Sequence, residues 1–227
     1  MLASSVAHFL DNSTHGEDSY LIRDLGGGDY LDAVMDGVTG HGGGEASQSL
    51  VEALTKATIA SPEDVTAVLE ALNEEFFEVG GGRFLLTTVS VALALGGQIH
   101  IMSAGDSPVY IMKGDSVQQI TGRIGGFLHV GVAKAVGATQ DLSNLVRLDF
   151  AAEPGARLVL ATDGVSDNVH TSELAEMVKA AASPGEASKT VNDTILTRLE
   201  AGRVPEQVGR RFRHDDRTAI FRFLEPG

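Results

Sequence analysis

With 227 residues, 43% of them hydrophobic and 21% charged, the chain has the size and composition of one large soluble globular domain. Its formal net charge of −14 argues against nucleic acid or an anionic membrane as partner, and no apolar run is long enough to span a bilayer. There is no cysteine, which excludes disulfides, thiolate metal sites and cysteine nucleophiles together, so any metal must be held by oxygen or imidazole.

The first ten residues lack a basic segment followed by a long apolar core, so no signal peptide is expected and the cytoplasm is the simplest location. Residues 30–35 read as a short strand running into Asp36, and the glycine-rich stretch 37–44 reads as a turn. Over residues 45–59, Ala46, Leu50, Ala53, Leu54 and Ala57 fall on one helical face. Ser61-Pro62-Glu63-Asp64 predicts a helix start, with Ser61 as N-cap and Pro62 at the first helical position; that helix stops at the glycines 80–82. Residues 85–95, 98–104, 109–112 and 116–121 read as strands with short links, which predicts an antiparallel meander. Residues 146–150 and 157–162 read as strands around Glu153-Pro154-Gly155, residues 172–182 and 185–201 as helices, and residues 217–224 as a closing strand. No linker or repeat interrupts this order, which predicts a single α+β domain over residues 1–227, with helices covering antiparallel sheets.

Five segments place an Asp beside Gly, Glu or another Asp at the margin of an apolar run: Glu17-Asp18, Asp36-Gly37, Gly105-Asp106-Ser107, Thr162-Asp163-Gly164 and Asp215-Asp216. A carboxylate at the end of a strand has a fixed position, and a following Gly lets the chain turn and opens its carbonyl as a further oxygen ligand. Any single Asp-Gly reads as a turn. If the five converge, their mutual repulsion calls for a hard cation, and oxygen-only ligands suit Mg²⁺ or Mn²⁺. Two such ions about 4 Å apart acidify a bridging water and clamp a phosphoryl group. Spacing alone does not establish the convergence.

These segments resemble, in order, the motifs of the metal-dependent protein phosphatases, the PPM family of type 2C serine/threonine phosphatases. Glu17-Asp18-Ser19 is similar to its early Glu-Asp motif, and Asp36-Gly37-Val38-Thr39-Gly40-His41 with Glu45-Ala46-Ser47 to its Asp-Gly-x-Gly-Gly-His signature and helix. Leu86-Thr87-Thr88 lies where the family has Gly-Thr-Thr, and Gly105-Asp106-Ser107-Pro108-Val109-Tyr110 resembles Gly-Asp-Ser-Arg-x-Tyr. Thr162-Asp163-Gly164-Val165-Ser166-Asp167 resembles Thr-Asp-Gly-Leu-x-Asp, and Asp215-Asp216-Arg217-Thr218 the closing Asp-Asn-x-Thr. The resemblance implies a four-layer αββα sandwich of two antiparallel sheets flanked by helix pairs. It implies a binuclear Mn²⁺ or Mg²⁺ site at Asp18, Asp36, the Gly37 carbonyl, Asp163 and Asp215, with Asp36 bridging and Asp36, Asp163 and Asp215 as the catalytic aspartates. Asp106 and Asp167 match the positions of a third, weaker ion. The implied reaction is direct attack of a metal-activated water on phosphoserine or phosphothreonine of a phosphoprotein, opposite a cognate serine/threonine kinase.

The sequence departs from the family at several points. No Arg precedes Glu17-Asp18 to grip the substrate phosphate; His15 stands in that stretch and reads as a surface bystander. One of Arg210, Arg211 or Arg213 is the candidate for the missing phosphate-binding charge, against the simpler reading of a solvated loop. Asp216 replaces Asn and brings a further negative charge toward the metals, Pro108 replaces Arg, and His41 reads as structural rather than as a general acid. Residues 121–136 are short and glycine-rich where the family carries a longer flap, which predicts an open site with selectivity that is weak or supplied by a partner. The alternative is a catalytically weak or inactive PPM-like module that binds a partner or phosphopeptide. A two-metal nuclease is disfavoured by the acidic surface.

Overall fold

The computed structural model describes residues 3–122, 135–202 and 213–225. Its elements are β1 (Ser4–Asp11), β2 (Asp18–Gly26), β3 (Asp29–Asp36), α1 (Gly43–Lys56), α2 (Pro62–Gly80), β4 (Val89–Leu95), β5 (Gln98–Ala104), β6 (Val109–Lys113), β7 (Ser116–Gln119), β8 (Val146–Ala151), β9 (Arg157–Ala161), α3 (Asp163–Ser166), α4 (Thr171–Ala180), α5 (Pro184–Ala201) and β10 (Arg217–Leu224). One five-stranded sheet runs β1-β10-β9-β6-β7 and the other β2-β3-β4-β5-β8, with every named pair antiparallel.

Three apolar layers hold four layers of structure together. Leu31, Ala33 and Met35 of β3 pack with Leu50 and Leu54 of α1 and Leu69 of α2. Val159, Ala219 and Phe221 pack with Val178 of α4 and with Val191 and Ile195 of α5. Between the sheets, Tyr30, Val34 and Ile101 meet Val109, Leu158 and Ile220. Strand β3 therefore alternates its side chains between two cores. The αββα sandwich expected from the resemblance is the observed architecture. Within its middle layer lies a buried ion pair: Arg222 of β10 grips Asp32 of β3 with Nε at 2.5 Å and Nη2 at 2.7 Å, and stacks 3.8 Å from the Tyr30 ring centroid. It fastens one sheet to the other.

The helix starts follow their local chemistry. The Ser61 side chain accepts the Asp64 N–H while Asp64 accepts the Ser61 N–H, and α2 ends at Gly81 with φ +58°. The turn before α1 is dictated by contact: a Cβ on Gly37 would lie 2.3 Å from the Gly43 carbonyl carbon, and one on Gly43 would lie 2.4 Å from that of Gly37. Only two glycines let these backbone segments touch.

The meander does not form as expected. Strands β4 and β5 pair, as do β6 and β7, but β5 and β6 belong to different sheets. The chain crosses between sheets at Gly105-Asp106-Ser107, where Gly105 has φ +108° and a Cβ would lie 2.6 Å from Thr88 Cβ. Strands β8 and β9, read as neighbours around a turn, are also split between sheets. Strand β4 starts at Val89 rather than residue 85, because Thr87 and Thr88 are engaged with Asp36. Strands β1 and β2 and the single turn α3 were not anticipated. Most of the shortened flap, residues 123–134, lies outside the described residues. Among the described residues, no helix is long and apolar enough to cross a membrane.

Candidate metal centre

The strand ends deliver the carboxylates. Asp18 opens β2 and Asp36 closes β3, and the two face each other in register. Asp106 sits on the crossing between sheets, Asp163 begins α3 directly after β9, and Asp215 lies two residues before β10. Asp18 thus comes from one sheet and Asp163 from the other, and they meet at one end of the sandwich.

Asp18 is 4% exposed, and its Oδ2 accepts the hydroxyls of Thr162 and Thr218, both at 2.8 Å. Burial pushes its carboxyl up to about 7 against the pull of those hydroxyls, with Asp216 and Asp163 adding repulsion. Burial, and then the carboxylates of Asp163, Asp18 and Asp106, hold Asp36 well above the ordinary carboxylate range. The side-chain interaction between Asp36 and Asp163 raises the Asp36 carboxyl further and lowers that of Asp163. Asp163 is itself raised, by burial first and then by Asp106 and Asp215, with Arg213 pulling down. Carboxyls this close share protons unless a cation neutralises them.

The backbone around Asp36 is clamped. Its N–H donates to Thr88 Oγ1 at 3.1 Å, and its carbonyl accepts the Thr88 N–H at 2.8 Å and the Thr87 hydroxyl at 3.0 Å. Gly37 N–H donates to the Glu17 carbonyl at 3.2 Å. Gly164 leaves no room for a side chain, since a Cβ would stand 1.9 Å from the Asp216 carbonyl oxygen.

Arg213 stands among these carboxylates. Its guanidinium contacts Asp163, reaches Asp167 with Nε at 3.3 Å and reaches Asp215 with Nη2 at 3.0 Å. Among the described residues, no three His, Asp or Glu side chains are closed to metal-ligand geometry. Arg210 and Arg211 lie outside the described residues. His15 Nε2 is 3.9 Å from Asp215 Oδ1, so it borders the site. His41 binds the Arg83 carbonyl through Nδ1 at 2.6 Å, tying the glycine-rich turn to the segment after α2.

Asp216 departs from the expected role. Its Oδ1 accepts the N–H groups of Thr14 at 3.0 Å and His15 at 2.9 Å, and its Oδ2 that of Glu17 at 2.8 Å. Its charge still bears on Asp18, but its oxygens anchor the loop that delivers Glu17-Asp18. Thr162 and Thr218 are the functional residues that sequence reasoning left without a role. Both are letters of quoted motifs, and a hydroxyl beside a carboxylate was the available signal.

The family model of Stage II sporulation protein E (SpoIIE) matches residues 27–221. A curated relative, "Probable protein phosphatase 2C 76" of Arabidopsis thaliana, is 26% identical over 218 residues, covering 78% of this chain. The chain spans about half the length (51%) of that relative. Among solved structures, PppA, described as a key regulatory component of T6SS in Pseudomonas aeruginosa, superposes with TM-score 0.77 at 23% identity over 97% of both chains. The Mycobacterium tuberculosis serine/threonine phosphatase PstP, whose catalytic domain was solved with two manganese ions, superposes with TM-score 0.76 at 21% identity over 100% of both chains. These two likenesses establish the fold.

Proposed function

Because the chain belongs to the Stage II sporulation protein E (SpoIIE) family, we propose that it is a metal-dependent serine/threonine protein phosphatase, acting on phosphoserine or phosphothreonine of phosphoprotein substrates as a single domain. What supports this reading most is the crowding of Asp18, Asp36 and Asp163, brought from both sheets to one end of the sandwich, with their carboxyls pushed up by burial first and then by neighbouring carboxylates. A donor set made only of carboxylates and backbone carbonyls fits Mn²⁺ or Mg²⁺.

Asp18, Asp36, the Gly37 carbonyl, Asp163 and Asp215 would hold two ions, with Asp106 and Asp167 serving a third. The chemistry that bound Mn²⁺ or Mg²⁺ supplies in such a site is acidification of water and neutralisation of phosphoryl charge. The chain's own part is positioning. Thr162 and Thr218 occupy Asp18 Oδ2, which leaves Oδ1 to face a cation. Thr87 and Thr88 fix the Asp36 main chain, and the Gly37–Gly43 contact fixes the neighbouring carbonyl. The charge that grips the substrate phosphate is assigned to the Arg run 210–213, of which Arg213 is the described member.

The test is release of phosphate from phosphoserine, phosphothreonine and phosphotyrosine peptides, with Mn²⁺ and with chelator. Mn²⁺-dependent turnover of the first two, lost in Asp36→Asn and Asp163→Asn variants that remain folded, is expected. Mn²⁺ binding without turnover would replace the enzyme by a binding module.

A further inference from the structure

Arg213 contacts three carboxylates at once: Asp163, Asp215 at 3.0 Å and Asp167 at 3.3 Å. Two of these belong to the proposed binuclear set and one to the third-ion set, so the guanidinium spans both. We infer that Arg213 is an internal cation occupying the place of a divalent ion between Asp163, Asp167 and Asp215, and that it leaves when the ion enters. This inference rests on the proposed metal site.

The geometry suits an exchange. The Asn168 side-chain amide holds the Arg213 carbonyl at 3.0 Å and the Gly164 carbonyl at 2.7 Å, which pins the main chain of Arg213 beside α3. The Arg213 side chain is nevertheless 47% exposed, so the anchored residue can turn its guanidinium outward into solvent without moving the backbone. Asp163 and Asp167 are buried and cannot follow it. A guanidinium and a divalent ion cannot share the same carboxylate oxygens at contact distance, since two cations there repel strongly. Arg213 therefore shields the carboxylates of the metal-free protein from one another and lowers their affinity for the ion, in proportion to the work of expelling it. The expelled guanidinium remains tethered at the rim, where its planar fork suits a phosphate.

Titration calorimetry with Mn²⁺, together with thermal unfolding in chelator and in Mn²⁺, tests this on the full chain as wild type, Arg213→Lys and Arg213→Ala. Arg213→Ala is expected to bind Mn²⁺ at least tenfold more tightly at one site, to unfold at lower temperature in chelator and to gain more from Mn²⁺. Arg213→Lys, which keeps the charge without the fork, is expected to fall between the two. Equal affinities in the three proteins, or weaker binding in Arg213→Ala, would overturn the exchange while leaving the metal site intact. Absence of Mn²⁺ binding in all three would overturn both. Should Arg213→Ala not fold without metal, the order of wild type and Arg213→Lys decides alone: equal or weaker Mn²⁺ binding by Arg213→Lys overturns the exchange.

Discussion

Asp216 Oδ2 accepts the backbone N–H of Glu17 at 2.8 Å, while its other oxygen takes the N–H groups of Thr14 and His15. One buried side chain next to β10 thus sets the entry of β2 and with it the position of Asp18. An Asn here would offer one oxygen and turn an amide N–H toward a backbone N–H.

Asp216→Asn is therefore expected to cost about 1 kcal/mol of stability, for the loss of a charge-assisted hydrogen bond to a part-buried backbone N–H, and to weaken Mn²⁺ binding through Asp18. Denaturant unfolding and calorimetry check both effects. Wild-type values for the pair would show that the loop is held by something else.

The raised carboxyls predict an inverted pH dependence in the metal-free protein. Asp18 stands near 7 and Asp36 and Asp163 are raised, against an ordinary value of 3.8. Protonated carboxyls contribute stability that is fully present below the unfolded value and is lost as pH rises through the folded one. In chelator, the unfolding midpoint should fall between roughly pH 4 and 7. In saturating Mn²⁺ that fall should shrink or reverse, since the ion favours the charged forms. Asp32 is also raised by burial but lies outside the site, so its share persists in both curves. Parallel curves with and without Mn²⁺ would remove the carboxylate cluster from the metal site.

Gly164→Ala places a Cβ where the Asp216 carbonyl oxygen stands, and both are backbone-fixed. The expected cost is about 3 kcal/mol or more, measured by denaturant unfolding, with Mn²⁺ affinity falling as Asp163 shifts. A loss under about 1 kcal/mol would mean that the α3 turn adapts readily.

Arg222→Met leaves the buried Asp32 without its partner and is expected to cost about 3–5 kcal/mol. Asp32→Leu combined with Arg222→Met should recover most of that loss. A double-mutant cycle by chemical unfolding checks it, and additive losses would deny that the two residues act as a unit.

Local signals were read correctly where the local chain decides. The Ser61 N-cap, the α2 stop at glycine and the final strand from Arg217 to Leu224 fall where pattern and propensity put them. The links after β5 and before β9 were misread, because a short turn looks the same whether the next strand pairs with its neighbour or crosses to the opposite sheet. Strand β2 escaped notice because it mixes Asp18, Arg23 and Asp24 with its apolar residues, and its pairing with β3 supplies what its composition lacks.

For the site, sequence alone determined which residues bring carboxylates, that each sits at the margin of an apolar run, and that no cysteine chemistry competes with them. Only the tertiary structure decided what each carboxylate does. Asp18 meets two threonines from the other sheet, Asp216 turns away to hold three amides, and Arg213 folds back among Asp163, Asp167 and Asp215. The Asp18 contacts join residues 144 and 200 positions apart in the chain, and no spacing rule reaches so far. Side-chain chemistry is a property of the residue, but partnership between carboxylates depends on burial and distance, and the packing of two sheets sets both.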